Sequence, residues 1–160
     1  MANFIAMIEL DRTDRQILVL LQADGRMSNA EVAERVNLSP SACLRRVKRL
    51  EEEGLIEGYR MLLSQRAIGK PTNIFVEITL VNQNDEMLDA FERAVTECPE
   101  IMECYLMAGV PDYMVRVIAA DVVDFERIHR TYLSRLPGVA SLRSSFALRT
   151  VCRKTALPLA

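Results

Sequence analysis

The chain has 160 residues, half of them apolar, with a formal net charge of −2 and a pI near 5.5. That length suits one ordinary domain or two small ones, each marginal alone and stabilised by association. The acidic balance argues against a protein that coats nucleic acid non-specifically, and no apolar run reaches the ~18 residues of a membrane span. The N-terminal stretch MANFIAMIELD has a short apolar patch but neither a basic n-region nor a small-residue cleavage site, which predicts a cytoplasmic protein. The cysteines Cys43, Cys98, Cys104 and Cys152 form no C-x-x-C pair, and the single histidine, His129, stands far from all of them in sequence. These positions predict plain thiols, with no metal site, disulfide framework or cofactor.

In chain order, Asp11 is placed to cap a first helix whose apolar residues Ile17, Leu18 and Leu21 recur at helical spacing, and Gly25 closes it. Ser28-Asn29-Ala30-Glu31 is a capping box opening a second, short helix that buries Val32, Ala33 and Val36. Asn37 and Leu38 make a turn. Ser39 then caps a third helix with Pro40 at its first position, where the missing N–H costs nothing, and Gly54 stops it. A strand-like stretch, IEGYRMLLS, follows at 56–64. Three helices, a tight turn before the third and a strand make a winged helix-turn-helix pattern over residues 1–64.

Residues 65–72 interrupt the patterning with Gly69 and Pro71 and read as a hinge. Beyond it, TNIFVEITLV alternates strictly, with Ile74, Val76, Ile78 and Leu80 on one face. A helix is predicted over 85–98 through Leu88, Phe91, Val95 and Cys98. Strands follow at 101–108 and 113–119, joined by the loop GVPD. A second helix covers 121–134, and a last strand 139–151. The order βαββαβ over 73–160 is the ferredoxin-like arrangement, giving an α+β chain overall. Its sheet has helices on one face only. The other face carries Phe75, Val81, Tyr105 and Met107, residues that solvent does not select, and a second copy of the chain is the economical cover.

The third helix carries four cations in five positions, Arg45, Arg46, Lys48 and Arg49, and then three glutamates, Glu51 to Glu53. On a helical wheel Cys43, Leu44, Val47 and Leu50 face the first two helices. Ser41, Ala42, Arg45, Lys48 and Arg49 point away, with Arg46 on the flank. A helix entering the major groove needs small side chains at its approaching end and arginines behind them. The charge order also runs against the helix dipole, and the Lys48–Glu52 and Arg49–Glu53 pairs have the poorer orientation. An isolated basic run reads more readily as a solvated face; the capped helix before it, the Ser39-Pro40 start and the wheel turn the reading to DNA. Ser28 and Ser39, at the two helix starts, complete the DNA-facing set.

LDRTDRQIL (10–18), ADGRMSNAEVAERVNLSPSACLRRVKRLEEEGLIEGY (23–59), FVEITL (75–80), ECYLMAGVPDY (103–113) and LPGV (136–139) with the strand SFALRTV resemble the Lrp/AsnC, or feast/famine, transcriptional regulators. The resemblance spans roughly residues 9–158 and points to the leucine-responsive branch. It implies a helix-turn-helix unit joined to a ligand-sensing module, a regulator of amino-acid metabolism, and dimers assembling into tetramers or octamers. It also implies double-stranded DNA and a free amino acid as partners. The effector site it implies holds Gly109, Asp112 and Tyr113 of the GVPDY loop, together with Val122, Ser145, Phe146 and Ala147. A zwitterionic ligand needs backbone N–H groups for its carboxylate and an acceptor such as Asp112 for its ammonium. Taken alone, the same loop reads as a tight turn with the aspartate bonding backbone and the tyrosine in the core. A ligand-independent architectural DNA-organising protein is the alternative function. An enzyme built on His129, Cys104 and Asp112 is rejected, because no nucleophile, base and orienter set is evident.

Overall fold

The computed structural model describes residues 8–159; the N-terminal patch MANFIAM lies outside them. Contacts divide the chain into two units, one running through Leu62 and including the tail from Cys152, the other Leu63–Val151.

The first unit holds α1 (Arg12–Ala23), α2 (Asn29–Arg35) and α3 (Pro40–Glu52). The predicted start signals all operate. Asp11 accepts from the Asp14 N–H while the Asp14 side chain accepts from the Asp11 N–H, and Ser28 and Glu31 make the same reciprocal pair. Ser39 accepts from the Ala42 N–H, and Pro40 occupies the first turn. The turn before α3 is made by Asn37, whose φ of 55° is a conformation asparagine tolerates well. Ile17, Val32, Ala33, Val36 and Cys43 form the core between the three helices, and Leu50 is fully buried below it.

α1 ends at Ala23 with Asp24 as its C-cap, directly before Gly25. Two expectations for this unit change. Leu44 is 44% exposed instead of packed, because its helical position falls between the core seam and the outer face. Residues 57–64 form no strand, and Met61, Leu62 and Leu63 are exposed. A single strand cannot satisfy its own backbone groups, and no other strand lies in this unit among the described residues. The tail packs here instead: Leu157 N–H donates to Gln22 at 2.6 Å and the Gln22 amide donates to the Leu157 carbonyl at 3.2 Å.

The second unit runs β1 (Thr72–Leu80), α4 (Asp85–Val95), β2 (Ile101–Leu106), β3 (Tyr113–Ala119), α5 (Val122–Thr131), a 3-10 turn (Leu133–Arg135) and β4 (Val139–Phe146). The antiparallel sheet has the order β2-β3-β1-β4, with Thr72 opposite Ala119, Ile78 opposite Tyr113 and Ile74 opposite Phe146. Ile74, Val76, Ile78, Val115 and Val117 pack against Phe91 of α4 and Ile128 of α5 in one core. β4 ends five residues earlier than its pattern suggests because β1 begins at Thr72; Ala147 N–H donates to the Asn73 carbonyl and pairing then runs out of partners. The opposite face stays open, with Phe75, Val81, Tyr105 and Met107 exposed as the alternation predicts.

Gly138, at φ 69°, turns the chain into β4, and a Cβ there would collide with the Met87 sulfur. Met87 is flexible and can withdraw, but the left-handed backbone cannot be relieved. Gly138→Ala is expected to cost on the order of 1–2 kcal/mol, read as a fall of several degrees in Tm by calorimetry.

Candidate DNA-reading face and sensing site

The four cations of α3 do not act alike. Asp14 is 1% exposed on α1 and is shared by two of them. Arg46 Nη1 donates to Asp14 at 2.8 Å and to Asp11 at 2.6 Å, while Arg49 Nη2 donates to the other Asp14 oxygen at 2.6 Å. Arg49 also lies 3.8 Å from Glu53. The backbone N–H of Asp14 and then the Arg46 guanidinium hold the Asp11 carboxyl below its usual range, and Asp14 and Asp11 in turn raise Arg46. These two arginines fasten the recognition helix to α1 while remaining partly exposed, at 31% and 43%. A wheel of one helix cannot show a carboxylate more than thirty positions away in sequence.

Arg45 and Lys48 are exposed and make no ion pair among the described residues. Together with Ser41, Arg46 and Arg49 they line an open hollow of about 670 Å³ along the outer side of α3. Ser39 and Ser41 hydroxyls lie 3.2 Å apart at its N-terminal end, beside the half-buried Ala42. Asn29 Nδ2 donates to the Pro40 carbonyl at 2.8 Å and so ties the start of α2 to the start of α3. Ser28 is committed to its cap: its hydroxyl and N–H both donate to Glu31, whose carboxyl they lower. The arrangement offers two unpaired cations behind a small, hydroxyl-bearing helix start, which suits phosphate and base-edge contacts.

In the sensing unit the predicted residues fall into two groups. Gly109, with φ 122°, and Asp112 lie in the β2–β3 loop. Asp112 is 6% exposed; one carboxylate oxygen accepts the Leu80 N–H at 2.7 Å and the other accepts from Gln83 at 2.5 Å. It thereby locks the loop to the end of β1. Tyr113 is 1% exposed, stacks on Phe91 with ring centroids 4.3 Å apart and donates its hydroxyl to Glu92 at 2.8 Å. Burial and that bond raise its hydroxyl pKa. Its side chain is thus a core element, as the turn reading of the same loop expects.

Val122, Phe146 and Ala147 gather at the opposite end of the sheet. Val122 is 66% exposed on the first turn of α5, and Phe146 meets Phe125 edge-on at 5.2 Å. Ser145 lies opposite Phe75, on the open face. β3 separates the two groups by its length, roughly 20 Å at ~3.4 Å per residue. One chain does not bring them together.

Among the described residues, no group of three or more His, Cys, Asp or Glu is placed to hold a metal, and no helix is long and apolar enough to cross a membrane. His129 packs edge-on to Phe125 at 6.1 Å, and burial followed by the nearby Glu92 pushes the Cys104 thiol up to about 11.

A helix-turn-helix unit with an outward cationic helix, followed by a one-sided βαββαβ unit, defines a DNA-binding transcriptional regulator with a separate sensing module. Residues 10–57 match the family model for a winged helix-turn-helix DNA-binding domain, and residues 73–157 that for the Lrp/AsnC ligand binding domain. The chain is 40% identical to the Bkd operon transcriptional regulator of Pseudomonas aeruginosa, over 96% of this chain and all of that one. It is 41% identical to the leucine-responsive regulatory protein of Escherichia coli, over 89% and 87% of the two chains. Among solved structures it is similar to a transcriptional regulator of Neisseria meningitidis in complex with L-methionine, at TM-score 0.88 and 35% identity, covering 94% and 97% of the chains. A feast or famine regulatory protein of Mycobacterium tuberculosis, also complexed with L-methionine, matches at TM-score 0.81 and 31% identity over 92% and 97%. This chain belongs to the Lrp/AsnC family of transcriptional regulators.

The division of the cations can be measured. Arg45→Ala with Lys48→Ala is expected to weaken duplex binding at least tenfold and to reduce the slope of log K against log salt by about 2, with Tm unchanged. Asp14→Ala is expected to cost only about 1–2 kcal/mol in urea unfolding, since the two guanidiniums are 31% and 43% exposed and solvent screens the pairs.

Proposed function

We propose that this regulator reads specific duplex DNA through Ser41, Ala42, Arg45 and Lys48 of α3, and that a free amino acid tunes its binding through the sensing unit. The observation that carries the effector reading is the pair of L-methionine complexes, formed by proteins that share this fold along almost the whole chain. The separation of the two groups of candidate effector residues fits a ligand held between copies of the chain. Gly109 and the backbone around Asp112 would come from one copy, Val122, Phe146 and Ala147 from another. The open apolar face carrying Phe75 and Tyr105 is suited to pairing with a second copy, and repetition of such contacts builds the tetramers or octamers expected for this family. Several copies also compensate for an acidic chain with two free cations per recognition helix, because linked weak sites bind DNA with high avidity.

A thermal-shift panel of the purified protein against the twenty amino acids tests this directly. A ligand at 100 times its dissociation constant stabilises by about 2.7 kcal/mol, enough to raise Tm visibly. L-methionine or another apolar amino acid is expected to raise Tm in the wild type, and Val122→Asp to abolish that rise without changing the ligand-free Tm. No shift with any amino acid, together with unchanged assembly by light scattering, would favour the ligand-independent architectural role.

A further inference from the structure

Lys70, the last cation before β1, does not extend into solvent. Its Nζ lies 2.7 Å from Asp124 and 3.6 Å from Glu100. Arg127 closes the figure, with Nη2 2.7 Å from Glu100 and 2.8 Å from Asp124. The result is a charge-neutral ring of two cations and two carboxylates. Both carboxylates are largely enclosed, their side chains 15% and 14% exposed. Asp124 also accepts the Ala120 N–H at 2.9 Å, and the Thr72 hydroxyl donates to the Ala120 carbonyl at 3.4 Å. Lys70, the Ala120 N–H and Arg127 together hold the Asp124 carboxyl well below the usual carboxylate range.

The ring joins three segments that serve different ends. Lys70 finishes a compact turn in which Ile68 N–H donates to Ser64 and Lys70 N–H to Gln65. That turn is the start of the sensing unit, and the chain leads back from it to Leu62 and the DNA-binding unit. Glu100 immediately precedes β2, and its carbonyl accepts the Ile118 N–H of β3. Asp124 stands in the first turn of α5, next to the exposed Val122 and Val123, and Phe125 carries the contact to Phe146. A ligand pressing on Val122 and Phe146 therefore bears on the turn of α5 to which the hinge is fastened. A cation chosen only for solubility at a hinge would not sit in an enclosed pair of carboxylates, where removing one partner leaves the others uncompensated.

Resting on the effector reading above, we propose that the Lys70–Asp124–Arg127–Glu100 ring is the coupling element of the regulator, transmitting the state of the first turn of α5 to the hinge. Lys70 is a positioning residue: it touches neither DNA nor ligand. Coupling between two binding sites is a free energy that can be lost while both separate affinities survive, and that distinguishes this role from a merely structural one.

The test uses full-length protein, L-methionine as ligand, and the tightest duplex selected from a random-sequence pool. Methionine affinity is read by calorimetry, and DNA affinity by fluorescence anisotropy with and without methionine. For Lys70→Met, both separate affinities are expected to stay within about twofold of wild type, while the methionine-induced change in DNA affinity, commonly about 5–150-fold for such coupling, collapses to below about twofold. Lys70→Arg is expected to restore it. Arg127→Met, which opens the ring without touching Lys70, is expected to reduce it, so a poorly folded Lys70 variant would not stop the test. Wild-type coupling in Lys70→Met or in Arg127→Met overturns the proposal alone. Loss of methionine binding, or of ligand-free DNA binding, in a folded variant also overturns it, because the ring would then belong to a binding site or to the fold. A wild-type protein that shows neither methionine binding nor a thermal shift with any of the twenty amino acids overturns the effector reading and this inference together; where another amino acid gives the shift, that one replaces methionine in the same test.

Discussion

One buried carboxylate sets the terms for the DNA-binding unit. Asp14 lies in the first turn of α1, shares a capping box with Asp11, and accepts from guanidinium groups projecting from two successive turns of α3. A carboxylate this enclosed needs positive partners to offset its desolvation, and the two arginines also fix how α3 rotates against α1. That rotation determines which cations remain outside. Arg46 and Arg49 are tied to Asp14, so Arg45 and Lys48 remain the unpaired cations, one helical turn apart along the hollow beside Ser41 that all four line. Packing works with the ion pairs, since Cys43 and Leu50 on the inner face of α3 are fully buried.

The sensing unit is governed by a different constraint, the one-sidedness of its sheet. Helices α4 and α5 cover the face carrying Ile74, Val76 and Ile78, and the same alternation that buries those residues turns Phe75 outward. At each end of the sheet a carboxylate ties a loop down. Asp112 holds the β2–β3 loop to the end of β1, and Asp124 holds the start of α5 to the hinge. Rigid ends on a packed sheet make a frame in which a small displacement at one point is passed on rather than absorbed. The acidic chain thus uses some of its charges as local fasteners, in the DNA-binding unit through Asp14 and in the sensing unit through Asp124.

Much of this was legible in sequence wherever the signal is local. The capping boxes at Asp11 and Ser28, the Ser39-Pro40 start and the alternation of β1 each rest on a few neighbouring residues, and each appears in the structure where the pattern put it. The open face of the sheet follows from the same alternation. The local pattern misled where the outcome depended on a partner elsewhere. IEGYRMLLS has strand character but no strand beside it, and the last strand stops where β1 stops. Tyr113 belongs to a loop that resembles a ligand contact, yet the next step of the pleat turns it into the core against Phe91. The tail after Cys152, beyond the predicted last strand, packs with α1 through Gln22.

The sequence by itself therefore determined the order of elements, the two-unit plan and the cationic outer face of the third helix. Helix caps, hydrophobic period and turn residues act within a few positions of one another, and these features follow from them. Only the tertiary structure decided which cations are free, which loop residues are exposed, and how the hinge is fastened. Those outcomes depend on ion pairs between residues as far apart as Asp14 and Arg49, or Lys70 and Asp124. Their strength comes from burial and mutual distance, neither of which exists until the chain has folded.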